Sequence, residues 1–457
     1  MKHAGGVLFL AIVLAGAWWV YRTPERQDYN LVIFAFDGLQ ARHLPAYGYG
    51  VRNVTPNLDA FLRESYVFTN TVSAASWTVP SFMTMFTSLH PSEHKLTNKL
   101  MELETATGTA VVTANLKARN PGAVTLAEIL KRNGFATAGF TGDAGVSGAF
   151  GYKDGFDVYM DSEAFGGFDG SIPPALVWLK EHKDERFFMF VHGYDVHGQH
   201  APKDGFDYRY VPEGYSGPYT GSPKEQEALR ERGLRDGTLV VSEADKEFWR
   251  AIYDEKINDA DVEFAAFLGA LEEEGVYNRT VVAVVSDHGT EFFEHGKMDH
   301  GHTLYGELLE TLFAIHVPGR EGRRVPDLVS TVDLTPTILG ILDVQDEARS
   351  GMRGMDLTPS FSGKTVAHDA YSETDYRLYT HKRSVTTPDG WKFILTRESG
   401  LKELYDLTRD PGELKNLREE PRIAYELEQK LLIHLDQVGD RGPWSLGCLP
   451  VYATQCK

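Results

Sequence analysis

Two runs rich in histidine and carboxylate dominate the chemistry this chain can offer. Ser286-Asp287-His288-Gly289 sets a carboxylate beside an imidazole just after an apolar run, where both can reach one cation. Glu294-His295-Gly296 and Asp299-His300-Gly301-His302 follow, so three further histidines fall within fourteen residues of His288. Imidazole is a borderline ligand and glycine admits close approach, which makes this stretch a candidate metal site. Upstream, Phe190-Val191-His192-Gly193-Tyr194-Asp195-Val196-His197 supplies a second group of acid and imidazole. Within it Asp195 and His197 are read as functional, and Gln199 and His200 as solvated loop. Asp37 is a candidate bridging carboxylate, with a helix N-cap as the alternative reading.

The candidate nucleophile lies in Ser76-Trp77-Thr78-Val79-Pro80-Ser81-Phe82-Met83. Pro80 suits a first helical turn, which makes Thr78 the expected N-cap. A helix N-terminus presents unpaired N–H groups and a positive partial charge, so it receives anions. A threonine hydroxyl ligated there by a divalent cation can lose its proton near neutral pH and act as an alkoxide. A capping threonine without chemistry is the alternative.

These groups need elements that bring them together. Asn30 to Phe36 reads as a buried strand ending at Asp37-Gly38, Phe187 to Val191 as one ending at His192, and Thr280 to Val285 as one ending at Ser286. Thr125 to Asn133 has helical spacing and leads into a strand over Ala136 to Phe140. Asn258 to Glu274 reads as a helix with an acidic face, and Ser330 to Leu342 as a helix closing the main domain. Strands alternating with helices predict a parallel sheet covered on both faces. Ligands bind such sheets outside the carboxyl ends of the strands. Asp37, the His192–Asp195 group and Asp287-His288 are therefore expected on one edge. Pro202 to Val240 lacks clear periodicity and is read as a surface insertion or lid. From about Ala367 short alternating stretches such as Trp391 to Leu395, then a helix over Ile423 to Leu435, predict a small α+β unit. The expected division is 1–26, a catalytic unit over 27–365, this α+β unit over 366–440, and a tail over 441–457.

Composition narrows the function classes. The chain has 457 residues, with 46 Lys and Arg against 65 Asp and Glu, a formal charge of −19. No basic face for nucleic acid is expected from that balance. Two cysteines, Cys448 and Cys456, cannot staple a chain of this length, although in an oxidising compartment they could close one small loop. The charge does not exclude an anionic substrate, because acids that hold cations reverse the local potential. Ala4 to Tyr21 is an apolar run of eighteen residues between Lys2 and Arg22, long enough to span a bilayer. Trp18, Trp19 and Tyr21 would suit an interfacial belt, while Ala15-Gly16-Ala17 fits a signal cleavage site. Export is expected, to a periplasmic or extracellular location, with either a cleaved signal or a retained anchor.

Taken together, these blocks resemble the sulfatase family of the alkaline-phosphatase superfamily, over about Asn30 to Leu417. Phe36-Asp37-Gly38, Tyr47-Gly48-Tyr49 and Thr55-Pro56-Asn57-Leu58-Asp59 look like the family's first metal-acid segment. Thr78-Val79-Pro80-Ser81 falls where sulfatases have C/S-x-P-S-R, and Thr87-Ser88-Leu89-His90-Pro91 continues that block. Ser286-Asp287-His288-Gly289 matches the second metal segment. Tyr305-Gly306-Glu307, Val332-Asp333-Leu334-Thr335-Pro336-Thr337 and Glu403-Leu404-Tyr405-Asp406-Leu407 are similar to later family signatures. The resemblance implies an α/β fold in which helices sandwich a central, mostly parallel sheet, with a smaller C-terminal α+β subdomain. It implies that Asp37, Asp287 and His288 hold a divalent metal with Thr78 against it, and that His197 and His300 or His302 contact substrate or metal.

The sequence also departs from the family pattern. Thr78 has a β-methyl group and cannot become the formylglycine of sulfatases, Phe82 replaces the supporting arginine, and Gly38 stands where many members have a second Asp. The G-K-W-H-x-G motif is absent, and Thr137 to Asp143 occupies its expected place. Superfamily members with a threonine nucleophile typically transfer phosphoryl-type groups with zinc or manganese. The expectation is an exported metal-dependent hydrolase of a sulfate or phosphate-type ester, on a small molecule, glycan or lipid. Thr78 is the expected nucleophile and His197 or His300 the general acid. One or two ions of Zn, Mn, Mg or Ca would be held among Asp37, Thr78, Asp195, Asp287, His288, His300 and His302. An envelope phosphoryl-group transferase is an alternative, and so is a catalytically silent binding protein, which the apparent lack of Arg and Lys in the site would suit.

Overall fold

Seven-residue apolar runs that stay dry on both faces form the centre of the molecule, as a parallel sheet requires. The structure is a computed structural model that describes residues 28–440, apart from 98–99, 106–107, 114–118, 162, 203, 378–379 and 418–419. The apolar run at 4–21 and both cysteines lie outside the described residues. The main sheet is built from β1 (Asn30–Phe36), β2 (Tyr66–Val72), β3 (Ala136–Phe140), β4 (Val158–Met160), β5 (Phe187–Gly193), β6 (Thr280–Ser286), β7 (Phe313–His316) and β8 (Arg323–Ser330). Their order across the sheet is β8-β2-β7-β6-β1-β5-β3-β4. Only β7 runs against its neighbours, pairing antiparallel with both β2 and β6. β1, β5 and β6 are buried along their whole length. Val32, Phe34 and Phe36 face one apolar layer with Phe168, Trp178 and Phe264. Leu31, Ile33 and Ala35 face the other, with Val79, Phe82 and Ile338. Helices thus cover both faces of a mostly parallel sheet, the α/β fold expected.

Register decides what the sheet delivers. Phe36 pairs with Gly193 on one side and with Ser286 on the other. The carboxyl ends of β5, β1 and β6 therefore finish level, and Asp37, Tyr194 and Asp287 emerge side by side.

The helices that matter for the site are α1 (Thr78–Thr87), α2 (Phe168–His182), α3 (Pro223–Asp236), α4 (Glu243–Glu273), α5 (Leu334–Ile341) and α6 (Pro421–Gln437). The region read as a surface insertion or lid contains α3, whose Ser222–Glu225 capping box satisfies the first turn. α4 runs 31 residues, starting fifteen residues before the expected Asn258, because Ser242 caps it through the Asp245 N–H. The expected closing helix begins with a 3-10 turn, Thr331–Asp333, before α5. Beyond it, β9 (Ala370–Tyr376), β10 (Thr380–Thr386), β11 (Trp391–Thr396) and β12 (Leu401–Asp406) form an antiparallel sheet. α6 packs Leu427, Leu431 and Leu435 against Val385, Phe393 and Leu404 of that sheet. Glu373 N–H donates to Ala74 O at 2.9 Å, and Ser372 Oγ to Ser73 O at 2.6 Å, which docks β9 beside α1. Among the described residues no helix is long and apolar enough to cross a membrane.

Candidate active site

The site begins where β1 ends. Asp37 is fully buried, and Gly38 turns the chain at φ +74, a conformation suited to glycine, so that its N–H donates to Asp287 Oδ1 at 2.9 Å. An aspartate at position 38 would be strained there. β6 supplies Asp287 and His288, whose Nε2 lies 3.6 Å from Asp37 Oδ1 and 3.3 Å from Asp287 Oδ2. His288 Nδ1 donates to Gly289 O at 2.7 Å, which leaves the Nε2 lone pair facing both carboxylates. β5 supplies His192, whose Nδ1 accepts the Gly142 N–H at 3.4 Å and whose Nε2 donates to Asp37 Oδ2 at 3.1 Å. Burial holds His192 down to about 3, so it is a neutral donor that orients Asp37.

Thr78 comes from α1. It is not the N-cap that its position before Pro80 suggests. Trp77 holds the extended cap conformation, its carbonyl accepting the Ser81 N–H at 3.3 Å, and Thr78 is the first helical residue. That one-residue shift frees the hydroxyl from capping. Thr78 Oγ1 stands 3.2 Å from Asp37 Oδ1 and 3.3 Å from His288 Nε2. Ser81 Oγ, one helical turn on, donates to Asp287 O at 2.7 Å and ties α1 to the end of β6.

His197 and His300 complete the ring of imidazoles. One ligand atom from each of His197, His288 and His300 falls within 4.8 Å of the others, as does one from each of Asp37, Asp287 and His288. His197 Nδ1 accepts the Gln199 N–H at 3.4 Å, and its Nε2 is buried without a hydrogen-bond partner. His300 Nδ1 pairs with Asp299 Oδ1, and Asp299 in turn takes Arg230 Nη1 at 3.2 Å. Burial pushes Asp287 up to about 7, with Asp37 adding to the effect. Two adjacent buried carboxylates, and an Asp287 Oδ2 without a hydrogen-bond donor, are a donor set that fits a divalent cation.

Not every residue singled out in the sequence joins this group. Asp195 turns away and its Oδ2 accepts the Phe168 N–H at 2.9 Å, serving the N-terminus of α2. His302 is spent in a buried pair with Glu291, 2.7 Å away, while its Nδ1 faces His300 O. Neither Asp195 nor His302 reaches the carboxylates of Asp37 and Asp287. Asp37, Thr78, His197, Asp287, His288 and His300 are brought together.

The structure adds groups that sequence reasoning did not find. A cleft of about 220 Å³ opens on Thr78, lined in part by Trp77, Arg230, Tyr376 and Arg377. Lys256 Nζ donates to His197 O at 2.7 Å, and burial pulls it down to about 7. The apparent lack of Arg and Lys is thus a feature of the linear sequence only. Arg230 lies in α3, and the Ser222-Pro223-Lys224-Glu225 start of that helix was the signal that could have placed it.

With this geometry in place, comparison with known proteins is informative. The Sulfatase family profile matches residues 29–344, and that of the N-sulphoglucosamine sulphohydrolase C-terminal family matches residues 293–440. The chain belongs to the sulfatase family. It is 29% identical over 168 residues to the Delta 4,5-hexuronate-2-O-sulfatase of Bacteroides thetaiotaomicron, 34% of each chain. The chain spans about a third of the length of that relative. Among solved structures it superposes on a 2-O GAG sulfatase with a TM-score of 0.70 at 19% identity, over 90% of this chain and 93% of the other. It superposes equally, at 17% identity, on the phosphonate monoester hydrolase of Agrobacterium radiobacter, over 90% and 96%.

Proposed function

We propose that this chain is an exported, metal-dependent hydrolase of a sulfate or phosphate-type ester, with Thr78 as its nucleophile. The observation that carries this reading is the Thr78 hydroxyl, held at the first turn of α1 within 3.3 Å of both Asp37 and His288 and facing the cleft. Asp37, Asp287 and His288 would hold the ion, with Thr78, His197 and His300 next to them. A divalent cation there supplies charge neutralisation and makes the adjoining hydroxyl more acidic.

The chain's own groups do the rest. The start of α1, which no side chain caps, and Arg230 and Arg377 in the cleft wall favour the anionic end of the substrate. Thr78 Oγ1 gives its proton to Asp37 Oδ1, the acceptor it faces at 3.2 Å, and attacks the sulfur or phosphorus in line, forming a bond to it while the bond to the leaving oxygen breaks. His197 Nε2, which has no hydrogen-bond partner and lies 3.7 Å from Asp37 Oδ1, is placed to give the leaving oxygen its proton. Water then cleaves the threonyl ester and regenerates the hydroxyl. A glycan or other small ester is the substrate class, consistent with the names of the relatives. Because Thr78 cannot form an aldehyde hydrate, a phosphate-type ester suits this nucleophile better than sulfate.

The test is a panel of aryl sulfate, aryl phosphate and aryl phosphodiester with purified protein. Thr78→Ala should cut turnover of the accepted ester by at least about 10³-fold. Unchanged turnover in that variant overturns the proposal.

A further inference from the structure

A second convergence of ligand-type side chains lies away from the cleft. His90 follows α1, Glu373 lies in β9 and His434 in α6. One ligand atom from each lies within 4.8 Å of the other two. His90 is 5% exposed, Glu373 2% and His434 7%. Each also presents a buried polar atom without a hydrogen-bond partner: His90 Nδ1, Glu373 Oε1 and His434 Nε2. Nearly all buried polar groups in folded proteins are paired, so three converging side chains that each carry an orphan atom point to a missing common partner.

The surroundings hold the three side chains in position and leave those atoms free. Glu373 Oε2 takes the Ser92 hydroxyl and lies 3.4 Å from Arg383 Nε, which leaves Oε1 unused. The His434 ring stacks on Tyr371 at 3.7 Å and 4°, and the His90 ring meets it edge-on at 4.5 Å. The nearby guanidinium groups are already matched: Arg353 by Glu93 at 2.6 Å, and Arg383 by Asp375 and Asp440 at 2.8 and 2.7 Å. A cleft of about 500 Å³ reaches both imidazoles.

We propose that His90, Glu373 and His434 form a second metal site that takes zinc and fastens β9 and α6 to the segment after α1. Two imidazoles and one carboxylate are a borderline donor set that suits zinc, and the cleft leaves room for a water as fourth ligand. Zinc bonds of about 2.0–2.2 Å place tetrahedral ligand atoms about 3.4 Å apart, so the set closes by at most about 1.4 Å on binding. The site shares no residue with the group around Asp37, and it stands whether or not Thr78 is a nucleophile.

The experiment uses the full chain carrying Asp287→Asn and His288→Ala, which removes ligands of the first site. After chelation and dialysis this protein is titrated with zinc, then with cobalt(II) as a spectroscopic probe. The expected result is uptake of one equivalent, a tetrahedral cobalt absorption band and a rise in Tm, all three lost when His434→Ala is added. His90→Asn serves as the second variant should His434→Ala not fold, and it should show the same loss. Uptake that persists undiminished in a folded His90→Asn or His434→Ala protein overturns the proposal. So does a parent that is folded by circular dichroism and binds no zinc.

Discussion

Thr78 Oγ1 lies 3.2 Å from Asp37 Oδ1, although one residue starts a helix on the face of the sheet and the other directly follows its central strand. The contact depends on a third residue. Gly145 packs so tightly on Thr78 that a β-carbon there would sit 2.4 Å from the threonine methyl and 2.9 Å from Tyr194 Oη. Its N–H donates to that same Tyr194 oxygen at 2.7 Å.

Gly145→Ala should therefore displace the Thr78 hydroxyl while leaving its chemistry intact. A misplacement on the order of 1 Å lowers kcat by about 10²-fold, with a smaller effect on KM. Thr78→Ser removes the methyl at 2.4 Å but keeps the β-carbon at 2.7 Å, so adding it to Gly145→Ala should recover only part of the lost kcat. Steady-state kinetics on the four proteins of this cycle check the point, and a Gly145→Ala enzyme with normal kcat refutes it.

Arg230 and Arg377 should behave differently despite sharing the cleft. Arg230 is buried against Asp299, which burial would push up but which His300 and Arg230 together hold well below the usual carboxylate range. Arg230→Leu removes the cation from that buried carboxylate, leaving it only His300 and Gln199, and should cost about 3 kcal/mol of stability, read by urea unfolding. Arg377 is half-buried and pairs with Glu231 at 2.8 Å. Arg377→Ala should raise KM for an anionic ester a few-fold and weaken its salt dependence, with stability within about 0.5 kcal/mol of the parent. Equal stability losses in the two variants would contradict this assignment.

His295 makes stability depend on pH. Burial opposes its charge, yet Nδ1 faces Glu307 Oε1 at 2.6 Å and Nε2 faces Glu413 O at 3.2 Å. Both partners are acceptors, so both ring nitrogens are best protonated, and the group is pushed up to about 9. A folded-state value above the ordinary 6.5 contributes stability that is complete below about pH 6.5 and is lost as pH rises through about 9. With solvent screening of this partly exposed pair, about 1–2 kcal/mol is expected. His295→Gln should be destabilised by that amount at pH 6 and converge on the parent above pH 9.5. A constant difference at both pH values would rule the mechanism out.

Much of the frame was legible in the chain. Fully buried parallel strands must be apolar along their length and must meet polar residues where they leave the sheet. That is why Asn30 to Phe36, Phe187 to Val191 and Thr280 to Val285 could be read as strands delivering acids and imidazoles to one edge. The same logic did not find α3, whose mostly polar surface gives little periodicity, nor the early start of α4, which depends on the local Ser242–Asp245 cap.

What the sequence by itself determined was where each chemistry-bearing residue leaves its strand or begins its helix. Element ends are set by local polarity, propensity and hydrogen bonding, and these travel with the chain. Only the tertiary structure decided where each side chain points and which partner it finds. It set Asp195 on the N-terminus of α2 and His302 on Glu291, and it moved Thr78 one residue inside its helix. It also brought Arg230 to the cleft, and joined His90, Glu373 and His434 from 283 and 61 residues apart. Those outcomes depend on packing between segments distant in sequence, and spacing along the chain carries no record of them.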